Sequence, residues 1–218
     1  MKKLLLIIAL TLCTLSNAKV IELHGDSTQA GYTATYNPAV LLQMQIDKVC
    51  GAGLHTVINK GWGGTTAHQA LTALPVSGMY GGQTFAQYIS TSPANIIIAN
   101  WGINENGLPT TNKWLFAYDH TQMAAIAKSY GKVYIAETTH PLYTSDTVRD
   151  ARIWEWAMTL IDVGATSGYP VIDQWNGVNG GFPFWNWHLI DGIHPAQTLY
   201  FHKSMTTFKF LKDKGYLC

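Results

Sequence analysis

The sequence predicts an α/β protein: a three-layer α/β/α sandwich around a central, mainly parallel five-stranded sheet of the flavodoxin-like type. Short apolar runs alternate with stretches whose apolar residues recur at helical spacing, and strands separated by helices pair in parallel. The run Asn95-Ile96-Ile97-Ile98-Ala99-Asn100 is apolar at its centre without alternation, as expected of a strand covered on both faces. The 218 residues carry neither internal repeat nor linker, which suits one domain with a substantial core. Hydrophobic residues make up 47% and charged residues 12%, a balance that excludes a disordered chain.

The elements follow in order. Lys19–Leu23 is the first strand. From Pro38 to Val49 the apolar residues Val40, Leu41, Met44, Ile46 and Val49 mark a helix that stops at Gly51. His55–Ile58 is the second strand. Ala67–Leu74 is a short helix stopped by Pro75, and Thr84–Ile89 is another. Asn95–Asn100 is the third strand. Thr111–Tyr130 is a long helix closed by Gly131, and Lys132–Ala136 is the fourth strand. Ser145-Asp146 caps a helix running to about Val163, with Gly164 after it. Tyr169–Ile172 is the fifth strand, and Ala196–Leu211 is the last helix.

Residues 1–18 read as a leader rather than as part of the fold. Lys2-Lys3 is a basic head, and Leu4–Leu12 is an apolar run too short to span a bilayer as a stable helix. Ser16-Asn17-Ala18 fits the small-x-small cleavage rule, which places the cut before Lys19 and the folded domain at residues 19–218. A retained N-terminal anchor is the other reading. Cys13 would suit a lipoprotein signal, but Leu12 stands where such a signal needs a small residue. The expectation is export to a periplasmic or extracellular space, with no membrane span in the mature chain.

Without Lys2 and Lys3 the chain has 12 basic and 13 acidic residues, a net charge of −1. That leaves no basic field for nucleic acid. Cys50 and Cys218 either form one disulfide, as export favours, or stay separate thiols. No Cys/His spacing of the structural-zinc type occurs. Neither metal nor cofactor is expected, and a monomer is the default.

Four polar or glycine-rich segments carry the chemistry. Gly25-Asp26-Ser27-Thr28 follows the first strand. Asn59-Lys60-Gly61-Trp62-Gly63-Gly64-Thr65-Thr66 follows the second, and Asn100-Trp101-Gly102-Ile103-Asn104-Glu105 follows the third. Asp191-Gly192-Ile193-His194-Pro195 precedes the last helix. Ligands of parallel sheets bind at the carboxyl ends of the strands, where the first three segments begin. A serine hydroxyl is a weak nucleophile and needs a base within hydrogen-bond reach. A histidine serves near neutral pH, and a carboxylate on its other ring nitrogen sets its tautomer. Singly, these residues read as a turn serine, a turn aspartate and a capping histidine.

Together the four segments resemble the blocks of the SGNH hydrolases, also called GDSL esterases, in order and over nearly the whole mature chain. The resemblance implies that Ser27 is the nucleophile and that Asp191 and His194 are its acid–base pair. It also implies an oxyanion hole made by the N–H of Ser27, the N–H of Gly64 and the side chain of Asn104. The family usually has Asp after the third-block asparagine. Here Glu105 stands there, in a position that supports the loop rather than reacts. Gly61–Gly64 lacks the glycine spacing of a dinucleotide loop, and no Gly-x-Ser-x-Gly elbow exists.

The substrate is less legible. Trp62 and Trp101 lie in the second and third blocks, and Trp185 and Trp187 lie in the run that leads into Asp191. Such rings stack on sugars, hold acyl chains or simply pack in the core. His140 and His188 sit in loops that reach the site, and His140 is taken as a substrate contact with the four tryptophans. The remaining histidines read as structural or surface groups. The form Gly-Asp-Ser-Thr resembles the carbohydrate acetylesterase branch, which implies an acetylated glycan as partner. A lipase or thioesterase acting on longer acyl chains is the alternative. A glycan-binding module without activity is a third reading, against which the intact five-residue set argues.

Overall fold

A computed structural model of the chain describes residues 18–72, 78–108 and 112–218. The leader expected at residues 1–18 therefore lies, apart from Ala18, outside the described residues. In chain order the elements are β1 (Val20–Gly25), α1 (Ser27–Ala30), α2 (Pro38–Cys50), β2 (Thr56–Gly61), α3 (Ala67–Thr72), α4 (Phe85–Thr91), β3 (Ile96–Asn100), α5 (Ile103–Asn106) and α6 (Lys113–Ser129). They continue with β4 (Val133–Glu137), α7 (Thr147–Ser167), β5 (Val171–Ile172), α8 (Gln174–Gly181) and α9 (Gln197–Asp213). Met79–Gly82 and Trp185–His188 are short 3₁₀ turns.

All five strands pair in parallel, in the order β2-β1-β3-β4-β5. Apolar spacing assigns the two faces. Ile21 and Leu23 of β1, with Ile96 and Ile98 of β3, meet α2 and α9 through Leu42, Ile46, Phe208 and Leu211. Ile97 and Ala99 of β3, with Tyr134 and Ala136 of β4, face α3, α4, α6 and α7. β3 is thus buried on both sides, as its unbroken apolar run requires. On the second face β1 presents Glu22 and His24, which the core accepts because they are paired. His24 bonds Glu22 at 3.1 Å and the Tyr80 hydroxyl at 2.6 Å, and Tyr88 donates to Glu22.

Side-chain caps set most helix starts. Asn37 accepts from the Val40 N–H with Pro38 in the first turn, Thr84 and Gln87 form a capping box, and Asn112, Asp146 and Asp173 cap α6, α7 and α8. Cys50 and Cys218 form a disulfide with Cα atoms 5.5 Å apart, tying the C-terminus to the end of α2.

The structure changes several expected boundaries. β1 runs on to Gly25 and β2 to Gly61, so the first two polar blocks begin inside strands. β5 shrinks to Val171–Ile172. The predicted end of α3 at Leu74 and the start of α6 at Thr111 lie outside the described residues. α7 passes through Gly164 and ends at Ser167, against the expected stop. Gly164 is there for close packing: a Cβ on it would come within 2.4 Å of Val171 Cγ2. The stop is Gly168, in the left-handed conformation at φ 77°. α8 appears in a stretch with three glycines, where propensity argues against a helix. It forms because Asp173 caps it and Val178 is buried against Leu189 and Leu199.

Candidate active site

The chain leaves β1 for β2 on one side and then crosses back to β3 on the other. The carboxyl ends of β1 and β3 therefore flank a switch point where a crevice opens. Gly25 ends β1 there, and a Cβ on it would come within 2.2 Å of the Asn100 carbonyl, so only glycine lets the two strand ends approach. Asp26 caps α1, accepting from the Thr28 N–H and the Thr28 hydroxyl at 2.9 Å each. Ser27 is thereby held in the first position of the short helix. The Thr28 hydroxyl also lies 3.1 Å from Asn100 Oδ1, and the Asn100 amide donates to the Thr138 carbonyl beyond β4. These bonds join the ends of three strands beneath the serine.

The fourth segment closes over this edge from the last helix. Leu189 bridges Pro195, and the Tyr143 N–H donates to the Gly192 carbonyl. Within the turn Asp191 Oδ1 accepts from the backbone N–H groups of Ile193 and His194, at 3.0 and 2.7 Å. Its other oxygen lies 2.7 Å from His194 Nδ1, and His194 Nε2 lies 2.9 Å from Ser27 Oγ. Asp191 is acceptor-only when ionised, so Nδ1 carries the proton and Nε2 is left to accept from the serine hydroxyl. Partial burial alone would raise the Asp191 carboxyl. The hydrogen bonds from the His194 N–H, the His194 ring and the Ile193 N–H outweigh it and hold the carboxyl below its ordinary value.

The second and third segments meet beside the serine. A Cβ built on Gly63 would lie 3.8 Å from Ser27 Cβ, and Gly64 adopts φ 75°. The Asn104 amide donates one N–H to the Thr65 carbonyl at 2.8 Å, which orients it and leaves its second N–H for another acceptor. Glu105 is buried and accepts from the Ala67 N–H at the start of α3 and from the Gly102 N–H. Burial pushes its carboxyl up to about 8. The departure from Asp thus has a use here: the longer side chain reaches from the third segment to the start of α3, just past the second segment.

The predicted contacts divide. Ser27, Asp191 and His194 form one hydrogen-bonded chain, with the Gly64 loop and Asn104 joined beside it. Trp62 and Trp187 are exposed, and Trp187 stacks on exposed Phe184 with ring centroids 5.0 Å apart. Trp185 is half-buried against the Val178–Leu199 cluster. Two assignments are corrected. Trp101 is fully buried, and its indole N–H donates to the Thr65 hydroxyl, so it packs the loop and offers no face to a ligand. His140 is fully buried with both ring nitrogens engaged, at 2.7 Å from the Ile193 carbonyl and 3.2 Å from Lys203 Nζ. Thr28 is buried as well, so its hydroxyl serves the strand-end network. Tyr32 escaped the sequence reading. Its exposed ring lies 4.6 Å from the His194 ring, brought there by a loop whose next residue, Thr33, has φ 70°. Lys203 escaped it too, since it lies in no pattern of chemical spacing, and Asn100 was listed in the third segment without a role.

Among the described residues no cluster of three or more His, Cys, Asp or Glu could hold a metal ion, and no helix is long and apolar enough to cross a membrane.

No protein-family model and no curated protein matches the chain. Solved structures do. A lipase/acylhydrolase from Enterococcus faecalis superposes with TM-score 0.70 at 23% identity, over 90% of this chain and 96% of that one. A lipolytic protein of the G-D-S-L family from Veillonella parvula gives 0.69 at 16%, over 88% and 98%. An acetylxylan esterase from Geobacillus stearothermophilus gives 0.66 at 13%, over 92% and 96%. The fold is therefore that of the SGNH, or GDSL, hydrolases.

Proposed function

We propose that this chain is an exported serine ester hydrolase that removes O-acetyl groups from a carbohydrate. The observation that carries the reading is the chain Ser27 Oγ–His194 Nε2–Asp191 at 2.9 and 2.7 Å, standing where the strand order reverses between β1 and β3. His194 takes the Ser27 proton as Oγ attacks the ester carbonyl. The oxyanion is met by the N–H groups of Ser27 and Gly64 and by the free N–H of Asn104. Collapse expels the sugar alkoxide, which His194 protonates, leaving an acyl group on Ser27. A water activated by the same histidine then releases acetate.

Three features support the substrate and location. The acetylxylan esterase shares the fold, and Tyr32, Trp62 and the Trp187–Phe184 pair present exposed ring faces of the kind that sugars stack on. Export is supported by the Lys2-Lys3 head, the apolar run and the Ser16-Asn17-Ala18 site, and the disulfide suits an oxidising compartment.

Acetate release from a panel of acetylated polysaccharides tests the reading, with labelling by a serine-directed organophosphonate. Ser27→Ala should lose on the order of 10⁴-fold in turnover. Absence of both turnover and Ser27 labelling in the wild-type protein would instead leave a glycan-binding module. One observation favours longer acyl chains: an open, apolar groove of about 450 Å³ is lined by Tyr36, Leu41, Phe182, Phe201 and, at the start of α9, Gln197. A preference for acyl chains of roughly eight carbons or more, which such a groove would bury, would replace the acetylesterase reading.

A further inference from the structure

Lys203 is the buried cation that the chemistry above leaves unused. It sits on α9, inside the first core face, with 5% of its surface exposed. Taking an ammonium out of water costs several kcal/mol unless its donors are satisfied. Its partner is His140, fully buried in the loop after β4, with Nδ1 3.2 Å from Lys203 Nζ. The other nitrogen of that ring lies 2.7 Å from the carbonyl of Ile193, the residue before His194. A carbonyl can only accept, so His140 Nε2 carries the proton and Nδ1 offers its lone pair to Lys203. Direction along the chain is thus fixed: Lys203 donates to His140, and His140 donates to Ile193. Asp26 and Glu137 are the acidic groups whose charge reaches Lys203. Glu137 is tied in place by Gln174 and Thr207. Asp26 has one oxygen on Thr28, and the other has no partner among the described residues.

We propose that Lys203 and His140 form a buried brace that sets the position of His194 through the Ile193 carbonyl, Lys203 acting as a positioning residue for the ester hydrolysis proposed above. The inference rests on that function for its kinetic consequences and on the hydrogen bonds alone for its structural ones. Within the turn Asp191 is exposed, whereas Gly192, Ile193 and His194 are half-buried, and Asp191 is the most open member of the chain. From the inner side the brace is the only side-chain contact that grips the carbonyl immediately before His194 among the described residues. The peptide that carries this carbonyl also supplies the His194 N–H, which donates to Asp191 Oδ1. Tilting it therefore moves the histidine and its aspartate together, and with them the 2.9 Å contact to Ser27.

The test uses four variants of the full chain. Lys203→Met and His140→Phe break the brace at similar volume. Lys203→Arg keeps a donor, and His140→Gln keeps an N–H for the Ile193 carbonyl. Hydrolysis of an aryl acetate should show kcat reduced about 10- to 100-fold in the first two, with KM little changed, as for a small misplacement of a reacting group. Phosphonate labelling of Ser27 should slow in parallel, and Lys203→Arg and His140→Gln should recover most of the rate. Counting labelled sites gives the rate per folded molecule. An undiminished rate per site in Lys203→Met and His140→Phe overturns the brace, even where yield or melting temperature falls. The proton on His194 Nδ1, seen by NMR, reports the same geometry without turnover. It should shift or broaden in Lys203→Met and His140→Phe and persist in His140→Gln. An unchanged resonance overturns the brace even if the wild-type protein hydrolyses nothing, whereas a shifted one in an inactive protein upholds the brace and rejects the esterase.

Discussion

Replacing Asp191 by Asn separates the chemistry of the site from its architecture. Asp191 uses its two oxygens differently. Oδ1 accepts two backbone N–H groups and builds the turn, and Oδ2 accepts only the His194 ring at 2.7 Å. Asparagine can keep the first oxygen, so the turn survives. Its amide nitrogen replaces the second and is a donor, so His194 Nδ1 must become the acceptor. The ring proton then moves to Nε2, the atom 2.9 Å from Ser27 Oγ. A histidine with a proton facing the serine has no lone pair to receive another. Loss of the correct tautomer should cost about 10⁴ in kcat, or about 5.5 kcal/mol of barrier at 1.36 kcal/mol per decade. Stability should fall by only about 1 kcal/mol, the worth of one hydrogen bond. Stopped aryl-acetate assays, paired with urea unfolding of the same sample, measure both numbers. Turnover within tenfold of the wild type in a folded Asp191→Asn protein would refute the assignment of His194 as base with Asp191 setting its tautomer.

Further outcomes follow from single contacts. Asn104→Ala should lower kcat roughly 10²–10³-fold as a missing oxyanion donor, and steady-state kinetics on an aryl acetate would reject the role if kcat held. Burial lifts Glu105 in the folded chain to about 8, above its ordinary 4.5. The native state then keeps a proton that the unfolded chain releases, so this group's contribution to stability is full below about 4.5 and declines as pH rises to about 8. Glu105→Gln cannot ionise and should flatten the melting-temperature profile across that window; an unaltered slope would argue that Glu105 is not the titrating group. Reducing the Cys50–Cys218 bridge, which spans 168 residues, should cost on the order of 3–5 kcal/mol. A urea midpoint insensitive to reductant would contradict this.

The alternation of strands with helices along the chain, and the cap at Ser145-Asp146, made the layers legible, because periodicity and caps are local effects. The candidate site residues Ser27, Gly64, Asn104, Asp191 and His194 were picked out for a different reason: their four segments resemble the blocks of the SGNH hydrolases. Boundaries failed where packing overrode local preference. Gly164 looked like a stop and instead lets α7 press on Val171, and α8 formed among glycines because a cap and a buried valine held it.

Burial is the property that the linear pattern could not rank. Trp62 and Trp101 occupy similar places in neighbouring blocks, yet one ring is exposed and the other sealed beneath Thr65. His140 read as a ligand contact, yet its ring is buried between the Ile193 carbonyl and Lys203. Lys203 sits in an ordinary amphipathic helix, and only the approach of the β4 loop to α9 gives its charge a partner. The sequence by itself determined the sheet and its helices, since these depend on spacing along one chain, and its resemblance to the SGNH blocks marked the candidate site residues. The tertiary structure alone decided which of those groups touch: the distance from Ser27 to His194 spans 167 positions in sequence and 2.9 Å in space. Contacts of that kind depend on how loops converge at the strand ends, and loop convergence leaves no periodic trace.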